Sequence, residues 1–172
     1  MEKIKWCLCI KNGIELIEPN ETLIKAYLGK SESALKAAAS LGDNKDWRIS
    51  SSYYAMYFAL YSILMKIGIK CENHSCTIEF MKEFLKNYFS TKDAVLLQKS
   101  MEARVDTQYY IDRPVDGKQY QAMITVAPKF LAKCKEVLFK ISENEVNSIR
   151  NKVTQLIKQV EREEGELKES KD

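Results

Sequence analysis

The stretch DWRISSSYYAMYFALYSILMKIG, residues 46–68, decides the fold. Asp46 is a suitable N-cap and Gly68 a natural stop, so the segment reads as one helix from about Trp47 to Ile67. Tyr53, Tyr54, Met56, Tyr57, Phe58, Leu60, Tyr61, Ile63, Leu64 and Met65 cover nearly its whole circumference. A helix that is apolar all round must be buried all round, which places this one at the centre of a helical bundle or of its oligomer.

The flanking segments supply helices to surround it. Upstream, Asn20 or Thr22 can cap a helix whose small and apolar positions run from Leu23 to Leu41, ending at Gly42. Downstream, a helix is predicted from about Ser75 to Tyr88, with Ile78, Met81, Phe84 and Leu85 on one face. Another runs from about Lys92 to Tyr110 and is broken near Pro114. A fifth begins between Gly117 and Tyr120 and reaches about Ser142, with a kink or late start expected at Pro128. From Glu143 to about Glu163, Val146, Ile149, Val153, Leu156, Ile157 and Val160 form a thin apolar stripe on a charged helix. That stripe suits packing on the bundle or pairing with a second copy, and GELKESKD beyond it should fray.

The expected fold class is therefore all-α: an up-and-down bundle of about five helices with an additional C-terminal helix and a short N-terminal extension. Its parts are residues 1–20 as the extension, 21–142 as the bundle, and 143–172 as the charged C-terminal helix and frayed tail. The extension itself reads two ways. IKWCLCI, Asn12-Gly13 and IELIE could form a β-hairpin with a type I′ turn. They could also form a short helix ending at Gly13 followed by an extended segment, and the reading leans towards the helix.

Composition sets the outer limits. Only 6 Gly and 3 Pro in 172 residues leave few sharp turns, which disfavours a many-stranded fold. The net charge of +3, from 27 Lys and Arg against 24 Asp and Glu, permits nucleic-acid binding without arguing for it, so a local patch would have to do the work. Five cysteines, an odd count, without an export signal at the N-terminus argue against a disulfide scaffold and for a cytoplasmic protein. The most apolar stretch, Tyr53 to Ile69, carries Ser62, Lys66 and several tyrosines, which suits a core helix and not a membrane span.

Three segments, in this order, resemble the HEPN superfamily, the small helical domains of prokaryotic toxin–antitoxin pairs and related RNA-targeting systems. AYLGKSESALKAAASLGDNKDWRISSSYYAMYFALYSIL (26–64) is similar to the family's opening helical hairpin, with its Tyr-Tyr-Ala-Met run at 53–56. GIKCENHS (68–75) resembles the His-Ser at the start of the third helix, and EARVDTQYY (102–110) the family's Arg followed by an Asp and a Tyr. The resemblance implies a homodimer, a small nucleotidyltransferase as partner, and RNA or a nucleotide as ligand. No cofactor, metal or membrane is expected.

In the family's ribonucleases four to six residues separate that Arg from a following His. Here Arg104 is followed at that spacing by Tyr109. A His moves protons near neutral pH and a Tyr only near pH ~10, so the exchange keeps phosphate-binding chemistry and weakens the case for cleavage. Five residues are about 140° of helix, so Arg104 and Tyr109 converge only if the helix is ending or across a dimer axis. In some related pairs such a tyrosine accepts a nucleotidyl group, an alternative role for Tyr109.

Each candidate also has a plainer reading. Arg104 could be a salt-bridge partner for Glu102 or Asp106, Tyr53 and Tyr54 could be core, and His74 could simply abut a helix start. His74 is the only histidine and so the only source of a replacement imidazole. Cys71, His74 and Cys76, with Cys7 and Cys9 as further candidates, lack the regular knuckle spacing of structural zinc. Three functions follow. The first is a binding module using Tyr53, Tyr54, Arg104 and Tyr109. The second is a metal-independent endoribonuclease with Arg104, Tyr109 and His74 as catalytic groups. The third is a structural interaction bundle.

Overall fold

A computed structural model describes residues 2–169, the side chains of 164 and 167–169 aside. Among the described residues the chain is an all-α bundle of seven helices with one two-stranded ribbon, in the order α1 (Glu2–Cys9), β1 (Ile14–Leu16), α2 (Glu21–Ser40), α3 (Lys45–Ile67), β2 (Ile69–Cys71), α4 (His74–Phe84), α5 (Thr91–Tyr109), α6 (Gly117–Lys140) and α7 (Glu143–Glu169).

Helix α3 is the axis of the molecule, as its pattern requires. Tyr53, Ala55, Met56, Ala59, Leu60, Ile63, Leu64 and Ile67 are fully buried on one half of the helix, and Tyr57, Tyr61 and Met65 are buried on the other. Helices α2, α5, α6 and α7 all pack on it. Each such Leu or Ile contributes about 1.5–3 kcal/mol by leaving water. Its ends are sharply defined. The cap lies two residues before Asp46, at Asn44, whose side chain accepts from the Trp47 amide. The stop is Gly68 in the left-handed region at φ 77°, which closes the last turn.

Other boundaries fall near the expected ones. Asn20 caps α2, accepting from the Leu23 amide at 2.9 Å. Helix α5 opens on a capping box between Ser90 and Asp93. Helix α4 is shorter than its periodicity suggested, ending at Phe84 and leaving Tyr88 in the connection. Helix α6 continues through Pro128 as one element. Helix α7 continues past Gly165 to Glu169, where fraying was expected, and residues 170–172 of the expected tail lie outside the described residues.

The segment before Asn20 is helix then strand, not a hairpin, and it is held firmly. Ile14 to Leu16 pair antiparallel with Ile69 to Cys71, in the register Ile14↔Cys71 and Leu16↔Ile69. Helix α1 buries Ile4 and Cys7. Cys7 is joined to Cys76 on α4, a bridge the odd cysteine count had argued against. That bridge also removes both sulfurs from the cluster considered for metal, leaving Cys9, Cys71 and Cys134 as thiols. No helix among the described residues is long and apolar enough to cross a membrane.

The C-terminal stripe packs on the bundle. Val146, Ile149, Val153 and Val160 are buried in the monomer. Arg150 anchors the helix: its Nη1 donates to the carbonyls of Ile17, Ile67 and Gly68 at 2.7, 2.9 and 3.2 Å. One guanidinium thus satisfies the open end of α3 and the strand exit together. Its approach to the Glu18 carboxylate, 3.7 Å with that side chain 94% exposed, adds little.

Two outcomes test this account. Arg150→Ala should lower unfolding free energy by about 2–3 kcal/mol in urea titration, because the Ile17 and Ile67 carbonyls lose a charged donor while Gly68 keeps only the Ile17 amide. Denatured protein kept from reductant should show three reactive thiols and reduced protein five. Reduction should destabilise the fold by about 2–4 kcal/mol, since the bridge closes a loop across 69 residues.

Candidate functional site

Consecutive residues on a helix point about 100° apart, so Tyr53 and Tyr54 of α3 serve two neighbours. Tyr53 is fully buried and its hydroxyl lies 2.6 Å from Nδ1 of His74, the first residue of α4. Tyr54 is half-buried and its hydroxyl accepts a hydrogen bond from Nη2 of Arg104 on α5 at 2.9 Å.

Local sequence fixes His74. Asn73 caps α4 by accepting from the Cys76 amide, and the amides of Glu72 and Asn73 both donate to the Asn12 carbonyl beside the β-ribbon. The imidazole lies flat against Tyr57, with centroids 4.0 Å apart and planes 15° from parallel. Tyr54 meets it edge-on at 6.3 Å. Both ring faces and Nδ1 are therefore set, while Nε2 has no hydrogen-bond partner among the described residues.

Arg104 sits between two aromatic rings, its guanidinium carbon 5.4 Å from the Tyr54 centroid and 5.6 Å from that of Tyr109. Helix α5 ends at Tyr109, and Tyr110 is extended at φ −129°, so Arg104 and Tyr109 converge within one chain. The salt bridges considered from sequence are not formed. Glu102 accepts from the Gln98 amide group, and Asp106 pairs with Arg113. Among the described residues Arg104 has no carboxylate partner, and its Nε is buried without any acceptor. A half-buried cation without a counter-ion is a costly arrangement for a fold to keep.

This charge organises the protonation of its surroundings. Burial, then the Arg104 charge, holds the His74 imidazole below its ordinary range. Burial raises the Tyr53 phenol far above the usual tyrosine value, the neighbouring Tyr57 and Tyr54 adding to it and Arg104 opposing it. Burial likewise raises Tyr57. At neutral pH the Tyr53–His74 pair is thus phenol and neutral imidazole. The site offers one fixed positive charge, a neutral ring nitrogen and aromatic faces, which is chemistry for an anion attached to a planar group.

All five residues singled out from the sequence, Tyr53, Tyr54, His74, Arg104 and Tyr109, belong to this one connected cluster. Tyr57 was missed as a member, although it lies four residues beyond Tyr53 on the same helix face. Tyr109 is 68% exposed, so it is a rim residue and not core.

A protein-family model described as HEPN domain matches residues 24–137, a span holding every residue of the cluster. A search of curated proteins finds no match.

The single histidine makes the electrostatics directly measurable by proton NMR. His74 should titrate below the free imidazole value of ~6.5. In Arg104→Ala it should rise part of the way back, since burial is the larger cause. Because the folded chain binds the proton less readily than the unfolded one, stability should fall as pH drops from ~6.5 towards the lowered folded value, then level off below it. A normal His74 pKa in the native protein would contradict this geometry.

Proposed function

The chain belongs to the HEPN family, and from that premise we propose that it is a binding module for RNA or a nucleotide, with Arg104 holding a phosphate. The observation that carries the reading is the guanidinium without a carboxylate, set between the rings of Tyr54 and Tyr109. A phosphate oxygen would supply the missing counter-charge, and Tyr109 at the rim offers a face for a base or ribose. In this reading the protein acts in the cytoplasm as a dimeric, toxin-like component partnered with a small nucleotidyltransferase. The Cys7–Cys76 bridge is unusual for that compartment and would there be open to reduction.

A second reading, metal-independent RNA cleavage, is favoured by His74. Tyr109 stands at the family's His position, yet an imidazole reaches the same cluster from α4, with Nδ1 tied to Tyr53 and Nε2 unengaged. A neutral imidazole so oriented can accept a proton from a ribose hydroxyl while Arg104 holds the phosphate.

Labelled single-stranded RNA, followed by fluorescence anisotropy with and without chelator, tests both. Native protein should bind with an affinity that falls as salt rises. Arg104→Ala should weaken binding about tenfold or more and reduce the slope of log K against log salt by about 0.7, one phosphate contact. Unchanged affinity and slope in the variant would sink the binding reading. Chelator-resistant cleavage that His74→Gln removes would establish the second.

A further inference from the structure

A larger cleft of about 450 Å³ adjoins the Arg104 cluster, bounded by the start of α3, the end of α5, the 110–116 connection and the start of α6. Its size falls within the range of about 300–1,000 Å³ in which small-molecule sites lie. The deep wall is apolar, made by the buried Ile49 and Tyr120. Tyr110 lines the mouth, and the Arg113 guanidinium lies 3.8 Å from the centre of its ring.

Two features tie this cleft to the phosphate site. Thr107, which lines it, is one helical turn beyond Arg104, about 4.5 Å along α5. Tyr109 and Tyr110 are consecutive, the first meeting Arg104 and the second facing the cleft. The two sites thus share an aromatic divider at the end of one helix.

The polar groups of the cleft favour a base over a second phosphate. Arg113 already has a carboxylate, Asp106 at 3.4 Å, and the other two charged groups on the wall, Lys45 and Asp46, are of opposite sign. A cation so neutralised attracts anions weakly, but its planar face still stacks on an aromatic ring. What remains is a slot with an apolar floor and a stacked Tyr–Arg platform, the surroundings in which an unpaired base is held.

We infer that this cleft takes a second base, that of the nucleotide adjoining the one whose phosphate sits on Arg104 and whose own base lies on Tyr109, so that the ligand is single-stranded RNA of two or more nucleotides and not a free mononucleotide. The inference rests on the phosphate reading above. A base inside a duplex cannot leave its stack to enter such a slot without unpairing, which excludes double-stranded RNA as the preferred ligand.

Calorimetric titration with an adenylate tetranucleotide and with adenosine monophosphate, at fixed salt, tests it. Native protein should bind the tetranucleotide at least tenfold more tightly than the monophosphate. Tyr110→Ala should lose most of that advantage and leave monophosphate affinity unchanged, whereas Tyr110→Phe should keep it. Tyr110 lies at the end of a helix and is 43% exposed, so an unaltered melting temperature should confirm that the variant folds. If Tyr110→Ala binds the tetranucleotide like the native protein while Arg104→Ala does not, the base slot is wrong and the phosphate site stands. If native protein binds neither probe, both fall. If Tyr110→Ala shifts sedimentation but not tetranucleotide affinity, the cleft is a protein contact and the inference is overturned.

Discussion

Helix α3 has no solvent-facing side along most of its length, so its polar atoms must find partners inside the protein or go without. Ser31 of α2 donates to the Ala55 carbonyl, and Ser62 turns back to the Ala59 carbonyl. The Tyr61 hydroxyl accepts from the Cys71 amide, which fastens the β-ribbon to the helix, and burial pushes that phenol up to about 12. Arg150 closes the C-terminal end. Ser50 and Ser52 keep buried hydroxyls with no partner. The Tyr53–His74 and Tyr54–Arg104 contacts belong to the same set of obligations. The cluster is therefore one of the places where the central helix settles its polar groups, running from the buried Tyr53 through the half-buried Tyr54 to the exposed Tyr109.

That origin explains what was legible in the sequence. An apolar circumference from Tyr53 to Met65 states its own burial, and Gly68 its own stop, because both are local. The β-ribbon was not legible. Each strand is three residues long, too short for an alternation to register, and the partners lie more than fifty residues apart. The Cys7–Cys76 bridge fails for a related reason: pairing depends on where α1 lands on α4, which spacing cannot state. Pro128 does not delay the start of α6, since packing of Met123, Ala127, Phe130 and Leu131 on the bundle holds the helix on both sides of it.

For the cluster, sequence supplied the members and only part of the arrangement. Arg104, Tyr53 and Tyr54 followed from the family resemblance, and the end of α5 at Tyr109 met the condition under which Arg104 and Tyr109 could converge. That Arg104 would lack a carboxylate could not be read from the chain: Glu102 and Asp106, each two residues away, point to other sides of α5, but an acid on another element could still have reached it. Only the positions of Gln98 and Arg113 reveal that both are engaged elsewhere. The placement of His74 was equally hidden, being set by its cap at Asn73 and by Tyr57 beneath the ring.

The charge on Arg104 and the proton on His74 are coupled, and this would give the proposed phosphate site some of the properties of a catalytic one. Burial and the guanidinium both disfavour imidazolium. An anion docked on Arg104 removes the second cause and adds a favourable charge of its own, so the ring gains affinity for a proton when phosphate arrives. By linkage, the same proton then strengthens phosphate binding as pH falls. The family arrangement places Arg and His a few residues apart on one helix. Here the imidazole enters from a second helix whose start depends on a cap, a ribbon and a bridge to α1. Under the proposed binding reading this coupling would tighten the phosphate contact as pH falls, and under the cleavage reading it would also make Nε2 a better proton acceptor once phosphate is in place.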